Sequence, residues 1–158
     1  MKSLFFALVL TAAVSSAWSG NGHRMLPYEK SMALLQGIRG EAIVLGGGKT
    51  EVYVFVDPLC PHSRKFMTMV SRSEQMLAKY KYYIFLYSIP RLRSEKVVSA
   101  IYASPKPSDV LLKVMVDKAP PPIDAGGGQA ERTVADIAAV ARELDVYKRP
   151  YVIVAGQR

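Results

Sequence analysis

Cys60 is the sole cysteine among 158 residues, and it stands in VYVFVDPLCPHSRKF, residues 52–66. An apolar strand pattern runs up to Asp57 and Pro58, and helical spacing takes over at Pro61. The thiol is thereby placed at the start of a helix, where unpaired backbone N–H groups and the helix dipole favour negative charge. His62, Arg64 and Lys65 in the first turn add cationic character. This setting favours a thiolate and predicts a nucleophile at neutral pH. The competing reading is an inert buried thiol acting as a small hydrophobe. Pro58 and Pro61, which flank a strand-to-helix corner, favour a partly exposed reactive position instead.

Other chemistries find less support in the residues. A Cys–His hydrolase needs a placed base, yet His62 lies two residues along the same helix and points away, and His23 lies in the polar start of the chain. One cysteine and two histidines make no metal-ligand spacing, so no metal and no cofactor is expected. The formal charge is +8, of which Lys2 supplies one unit. The basic residues are dispersed along several elements without a recognised motif, which predicts a solvated basic surface and no nucleic-acid partner. Tyr80, Tyr82, Tyr83 and Tyr87 fall in the most apolar strand and are expected to pack there.

The elements that must position Cys60 follow from periodicity and breakers. Residues 1–19 have a basic start, an apolar run too short to span a bilayer, and small residues at the end, which predicts a secretory signal peptide and an exported chain with no stable anchor after cleavage. Residues 20–40 read as a polar segment and a helix over 27–38, and residues 41–158 as the main α/β domain. Strands at 41–45 and 51–56 flank GGGKT and predict a hairpin. A helix from 61 to 79 follows, then a strand at 80–89, apolar on both faces as a buried strand is. Short helices at 94–104 and 107–118 form a helical insert. A Pro/Gly loop covers 119–129, and a helix at 131–146 and a strand at 149–155 close the pattern. Such alternation predicts a mixed sheet covered by helices.

The stretch VYVFVDPLCPHSRKF resembles the active-site region of periplasmic thioredoxin-fold proteins, most closely the catalytic domain of DsbC/DsbG-type disulfide isomerases. Those show an apolar strand, Asp-Pro, and Cys-x-x-Cys opening a helix. YYIFLYSIPRLRSEKVVSAIYAS and ARELDVYKRPYVIV extend the resemblance to residues 38–156. It implies a thioredoxin-like mixed sheet with a helical insert and a shortened C-terminal end, in the periplasm. It gives Cys60 the attacking role, Pro61 and His62 the variable dipeptide, Ser63 the resolving position, and Pro150 the cis-proline facing the sulfur. Arg149, just before it, is implied to meet substrate. The implied partners are unfolded or misoxidised exported proteins, with a membrane thiol reductase or a small thiol for exchange.

Three departures shape the expected chemistry. Serine replaces the resolving cysteine at Ser63, no second cysteine pair exists (Tyr102 to Ser104 lie where one member would be), and no separate dimerisation domain precedes the catalytic one. A second thiol would release a mixed disulfide by attacking it, which Ser63 cannot do. Cys60 can still attack a wrong disulfide and let the substrate's own thiol displace it, which is isomerisation. Net oxidation or reduction by one subunit is excluded. The rival expectation is a redox-inactive frame that holds extended polypeptide, as a chaperone or an accessory of a secretion or conjugation system.

Overall fold

The computed structural model describes residues 22–121 and 127–156. The signal peptide expected at residues 1–19 lies outside them. The described residues form α1 (Tyr28–Gly37), β1 (Ile43–Leu45), β2 (Thr50–Val56), α2 (Pro61–Ser71), α3 (Glu74–Lys79), β3 (Tyr80–Leu86), α4 (Glu95–Ala103), α5 (Pro107–Met115), α6 (Gly128–Glu143) and β4 (Tyr151–Val154). The sheet runs β1-β3-β2-β4. β2 and β3 are parallel at its centre, and β1 and β4 are antiparallel edges. A mixed sheet between helical layers, as expected, is the result.

The period-2 alternation of the two central strands sorts their side chains to two cores. Tyr53, Phe55, Tyr83 and Phe85 face α1 and α6, where Leu35, Ile137 and Ala141 are buried. Val52, Val54, Val56, Ile84 and Leu86 face α2, α4 and α5, through Met67, Val70, Ile101, Leu111 and Met115. Burying each large side chain of this kind contributes about 1.5–3 kcal/mol. Both faces of β2 and β3 are therefore apolar, which is why they take the centre.

The expected β1–β2 hairpin does not form. β1 pairs with β3, Ile43 opposite Ile84, so β3 lies between β1 and β2. Only the centre of the sheet gives β3 two covered faces, and that outweighs local pairing across the glycines. The connection instead folds against the α3–β3 junction, with the Gly47 and Gly48 amides donating to the Leu77 and Tyr80 carbonyls. A Cβ on Gly48 would stand 2.0 Å from the Lys79 carbonyl carbon, whereas one on Gly47 meets nothing. The single helix expected over 61–79 is also divided. Ser73 breaks it and caps α3 by accepting from the Met76 amide at 3.2 Å.

A polar cluster ties α1 to the sheet. The Glu51 carboxylate receives Arg39 at 2.6 Å and the Tyr53 hydroxyl at 2.9 Å, while Gln36 donates to the Tyr53 oxygen at 2.8 Å. Burial, with help from the Glu51 carboxylate, pushes Tyr53 from 10.0 up to about 12. Burial also raises Tyr102, whose hydroxyl accepts from the Leu86 amide at 3.0 Å. No helix of the described residues is long and apolar enough to cross a membrane.

Gly48→Ala is expected to lower unfolding stability by about 1–3 kcal/mol or more, because backbone must move to admit the methyl. Gly47→Ala should stay within about 0.5 kcal/mol, and urea titration of the pair measures the contrast. The raised tyrosines give a pH dependence of definite sign. A group whose folded pKa is raised contributes its stability in full below its unfolded value and loses it as pH rises through the folded one. Stability should therefore fall between pH 10.0 and about 12 for Tyr53, and Tyr53→Phe should flatten that limb in urea midpoints measured across the window.

Candidate functional site

The site is assembled at the C-terminal ends of the two central strands. β2 ends at Val56, and Asp57, Pro58 and Leu59 turn the chain into α2, with the Cys60 amide donating to the Asp57 carbonyl at 3.1 Å. Cys60 is the N-cap of α2 in extended conformation, φ −73 and ψ 123, and Pro61 takes the first helical position, where no amide donor is needed. The Cys60 carbonyl accepts the first helical bond from the Arg64 amide at 2.9 Å. Arg64 Nε in turn donates to the Pro58 carbonyl at 2.7 Å, bracing the turn from outside.

From the far end of the chain, the loop before β4 brings in the second half of the site. The Arg149–Pro150 peptide is cis, the geometry the resemblance implies there. The Cys60 Sγ donates to the Arg149 carbonyl at 3.8 Å, joining residues 89 positions apart. Cys60 and Pro150 thus belong to one small region, with Pro150 half-buried and Pro61 and His62 exposed beside it.

Cys60 itself is 4% exposed. The partly exposed corner expected from Pro58 and Pro61 is therefore corrected: the turn folds the cysteine inward beneath the proline loop, and the surface is taken by its neighbours. Its thiol is directed at a carbonyl acceptor, and no hydrogen-bond donor reaches the sulfur among the described residues.

Ser63 is fully buried, and its Oγ accepts from the Asp57 amide at 3.2 Å. The hydroxyl holds the strand end to the helix. Arg149 is anchored through its side chain: Nε donates to the Tyr87 carbonyl at 3.1 Å, a terminal nitrogen to the Ser88 carbonyl at 2.6 Å, and the guanidinium stacks on the Tyr87 ring at 4.1 Å. Burial lowers its pKa, opposed by attraction to Tyr87, Asp57 and Cys60, and it remains a cation at neutral pH.

Neither histidine is hydrogen-bonded to Cys60 among the described residues. His23 is held elsewhere, stacked on Tyr147 at 3.4 Å between centroids and 3.3 Å from an Asp145 carboxylate oxygen. No three His, Cys, Asp or Glu side chains gather as metal ligands among the described residues.

Asp57 has no part in the site expected from the sequence, yet its carboxylate organises it. It is fully buried. One oxygen accepts from the Leu59 amide at 2.7 Å; the other accepts from the Ile89 amide and the Ser94 hydroxyl, both at 2.5 Å. One side chain thereby joins the turn before Cys60, the loop after β3 and the start of α4. The signal was present: an acid closing the run VYVFV, where a charge cannot be buried without partners.

Against known proteins, no family model matches the chain and no curated protein sequence does. Its fold has solved counterparts. The catalytic domain of Proteus mirabilis ScsC superposes with a TM-score of 0.66 at 14% identity, over 81% of this chain and 86% of that one. DsbG of Helicobacter pylori gives 0.61 at 16% identity, over 80% of this chain and 61% of that one. A periplasmic thioredoxin-like protein of Salmonella enterica serovar Typhimurium gives 0.58 at 12% identity, over 85% and 88%. The fold is thioredoxin-like, in the arrangement of ScsC and DsbG domains.

Removing the Asp57 carboxylate leaves three donors without an acceptor, each worth about 1–3 kcal/mol where water cannot replace it. Asp57→Ala is therefore expected to lose about 3 kcal/mol or more, and Ser94→Ala about 1–2 kcal/mol. Denaturant unfolding checks both, and equal losses in the two variants would contradict the role given to Asp57.

Proposed function

We propose that this chain is a periplasmic thiol-disulfide exchange protein, isomerase-like, which works through Cys60 alone. The observation that carries this reading is the approach of the Cys60 sulfur to the Arg149 carbonyl, beside the cis peptide at Pro150 and at the first turn of α2. The fold it shares with ScsC and DsbG domains supports it, as does the apolar start of the chain, read as an export signal.

In the proposed cycle the Cys60 thiolate, its proton gone to solvent, attacks one sulfur of a wrong substrate disulfide. A bond from Cys60 to that sulfur forms as the substrate bond breaks, and the other substrate sulfur leaves with the electron pair. A substrate thiolate then attacks the mixed disulfide, a new substrate disulfide forms, and Cys60 returns as thiolate. Electrons balance within substrate and protein, and no external oxidant or reductant is consumed. Pro61 and His62 would border the incoming chain and Pro150 would face it, while Ser63 holds the frame.

A second reading, a redox-inactive polypeptide-binding module, draws on the burial of Cys60 at 4% exposure. Incubation with a scrambled-disulfide protein separates the two. The wild type should speed recovery of native pairing and accumulate mixed disulfides, Cys60→Ala should lose both, and Ser63→Cys should shorten adduct lifetime about tenfold or more by supplying a resolving thiol. Polypeptide binding by a wild type that forms no adduct at all would leave the binding module.

A further inference from the structure

The outer face of α2 and the end of α5 enclose an open groove of about 710 Å³. Arg64, Lys65, Thr68, Met69 and Arg72 recur at helical spacing and form one stripe along its wall. Met115, Val116 and Lys118 form the other wall. Among the described residues the lining holds four cations and no acidic residue. Lys65, Arg72 and Lys118 are exposed, and they enter none of the ion pairs among the described residues, which join His23 to Asp145, Lys30 to Glu143 and Arg39 to Glu51. Between the charges the wall is apolar at Met69, which is 52% exposed, an unusual degree for a large hydrophobic side chain among the described residues. Leu59 and Pro61, the two chain neighbours of Cys60, close one end of the groove.

We infer that this groove binds an extended polypeptide segment in which acidic residues alternate with aliphatic ones along one face, and that it selects which chain segments arrive beside Cys60. Lys65 and Arg72 are seven residues, two turns or about 10 Å, apart along α2. An extended chain places residues i, i+2 and i+4 on one face over about 13 Å, so carboxylates at i and i+4 meet both cations through their long side chains while the aliphatic side chain at i+2 reaches Met69. Methionine adapts to differently shaped partners, which suits a site that tolerates sequence but not sign. A flat lipid headgroup layer would meet the cations without entering the groove between α2 and the end of α5. A single-stranded nucleic acid would want aromatic stacking surfaces, and the lining has none. The inference goes beyond the exchange chemistry and holds whether or not the sulfur reacts.

The test uses the full chain carrying Cys60→Ser and short cysteine-free peptides, so that binding is read apart from thiol chemistry. Isothermal titration calorimetry should detect a Glu/Leu peptide and not its Lys/Leu counterpart at low ionic strength, with affinity falling as salt shortens the screening length. Joint reversal of Lys65, Arg72 and Lys118 to Glu should weaken the acidic peptide about tenfold, the combined effect of three exposed ion pairs, and turn the preference toward the basic one. In a chain that retains Cys60, reversal of Arg72 and Lys118 alone, both away from the first turn of α2, should leave exchange with the small neutral hydroxyethyl disulfide unchanged, so failure of the groove and failure of the exchange reading are told apart. No binding, equal binding of both peptides, an acidic-peptide affinity untouched by the reversal, or tighter binding to phosphatidylglycerol vesicles than to the peptide would each overturn the inference.

Discussion

The Asp57 carboxylate lies in the interior and accepts from the Leu59 amide, the Ile89 amide and the Ser94 hydroxyl, while the Asp57 amide donates to Ser63 and its carbonyl accepts from Cys60. An unpaired carboxylate at such a depth would cost several kcal/mol, so each of these groups must be where it is. The turn into α2 can take only the course that brings Leu59 to that oxygen. The loop after β3 is drawn to the same point, and Arg149 grips that loop through the Tyr87 and Ser88 carbonyls. The position of the sulfur beneath the proline loop thus follows from one buried charge and one guanidinium acting on a shared stretch of backbone.

The geometry of Cys60 holds two tendencies in opposition. The N-terminal end of α2 and the nearby Arg149 guanidinium bring positive potential to this corner. The carbonyl of Arg149 is instead an acceptor for the protonated thiol. Burial under the proline loop adds a steric condition: a disulfide can reach the sulfur only when what covers it moves aside. The groove beginning at Leu59 and Pro61 would, in the proposed binding, hold an arriving chain close to that point.

Much of this was legible in the residues. Helical spacing after Pro61, the double-sided apolarity of β2 and β3 and the Asp-Pro before Cys60 are local patterns, and they recovered the layered fold and the cysteine's place at a helix start. The errors have a common origin in tertiary competition. EAIVL, GGGKT and EVYVFV make a good hairpin in isolation, and only the burial demand of β3 on both faces separates the strands. A proline-flanked cysteine suggests exposure until a loop from ninety residues away is laid over it. The resemblance implies that Arg149 meets substrate, and nothing in the sequence reveals that Tyr87 and Ser88 also lie within reach of its side chain. Basic residues that are scattered along the chain are gathered by α2 and the end of α5 along one groove.

Ser63 carries a further consequence, since its hydroxyl is buried in support of the Asp57 amide and it offers the sulfur no second reaction partner. With one thiol in the whole sequence, the polypeptide cannot close a ring upon itself and so retains no record of its last encounter. In the proposed exchange each arriving client would meet the same chemical state, and how long the two stay joined would be decided by the client's own thiols.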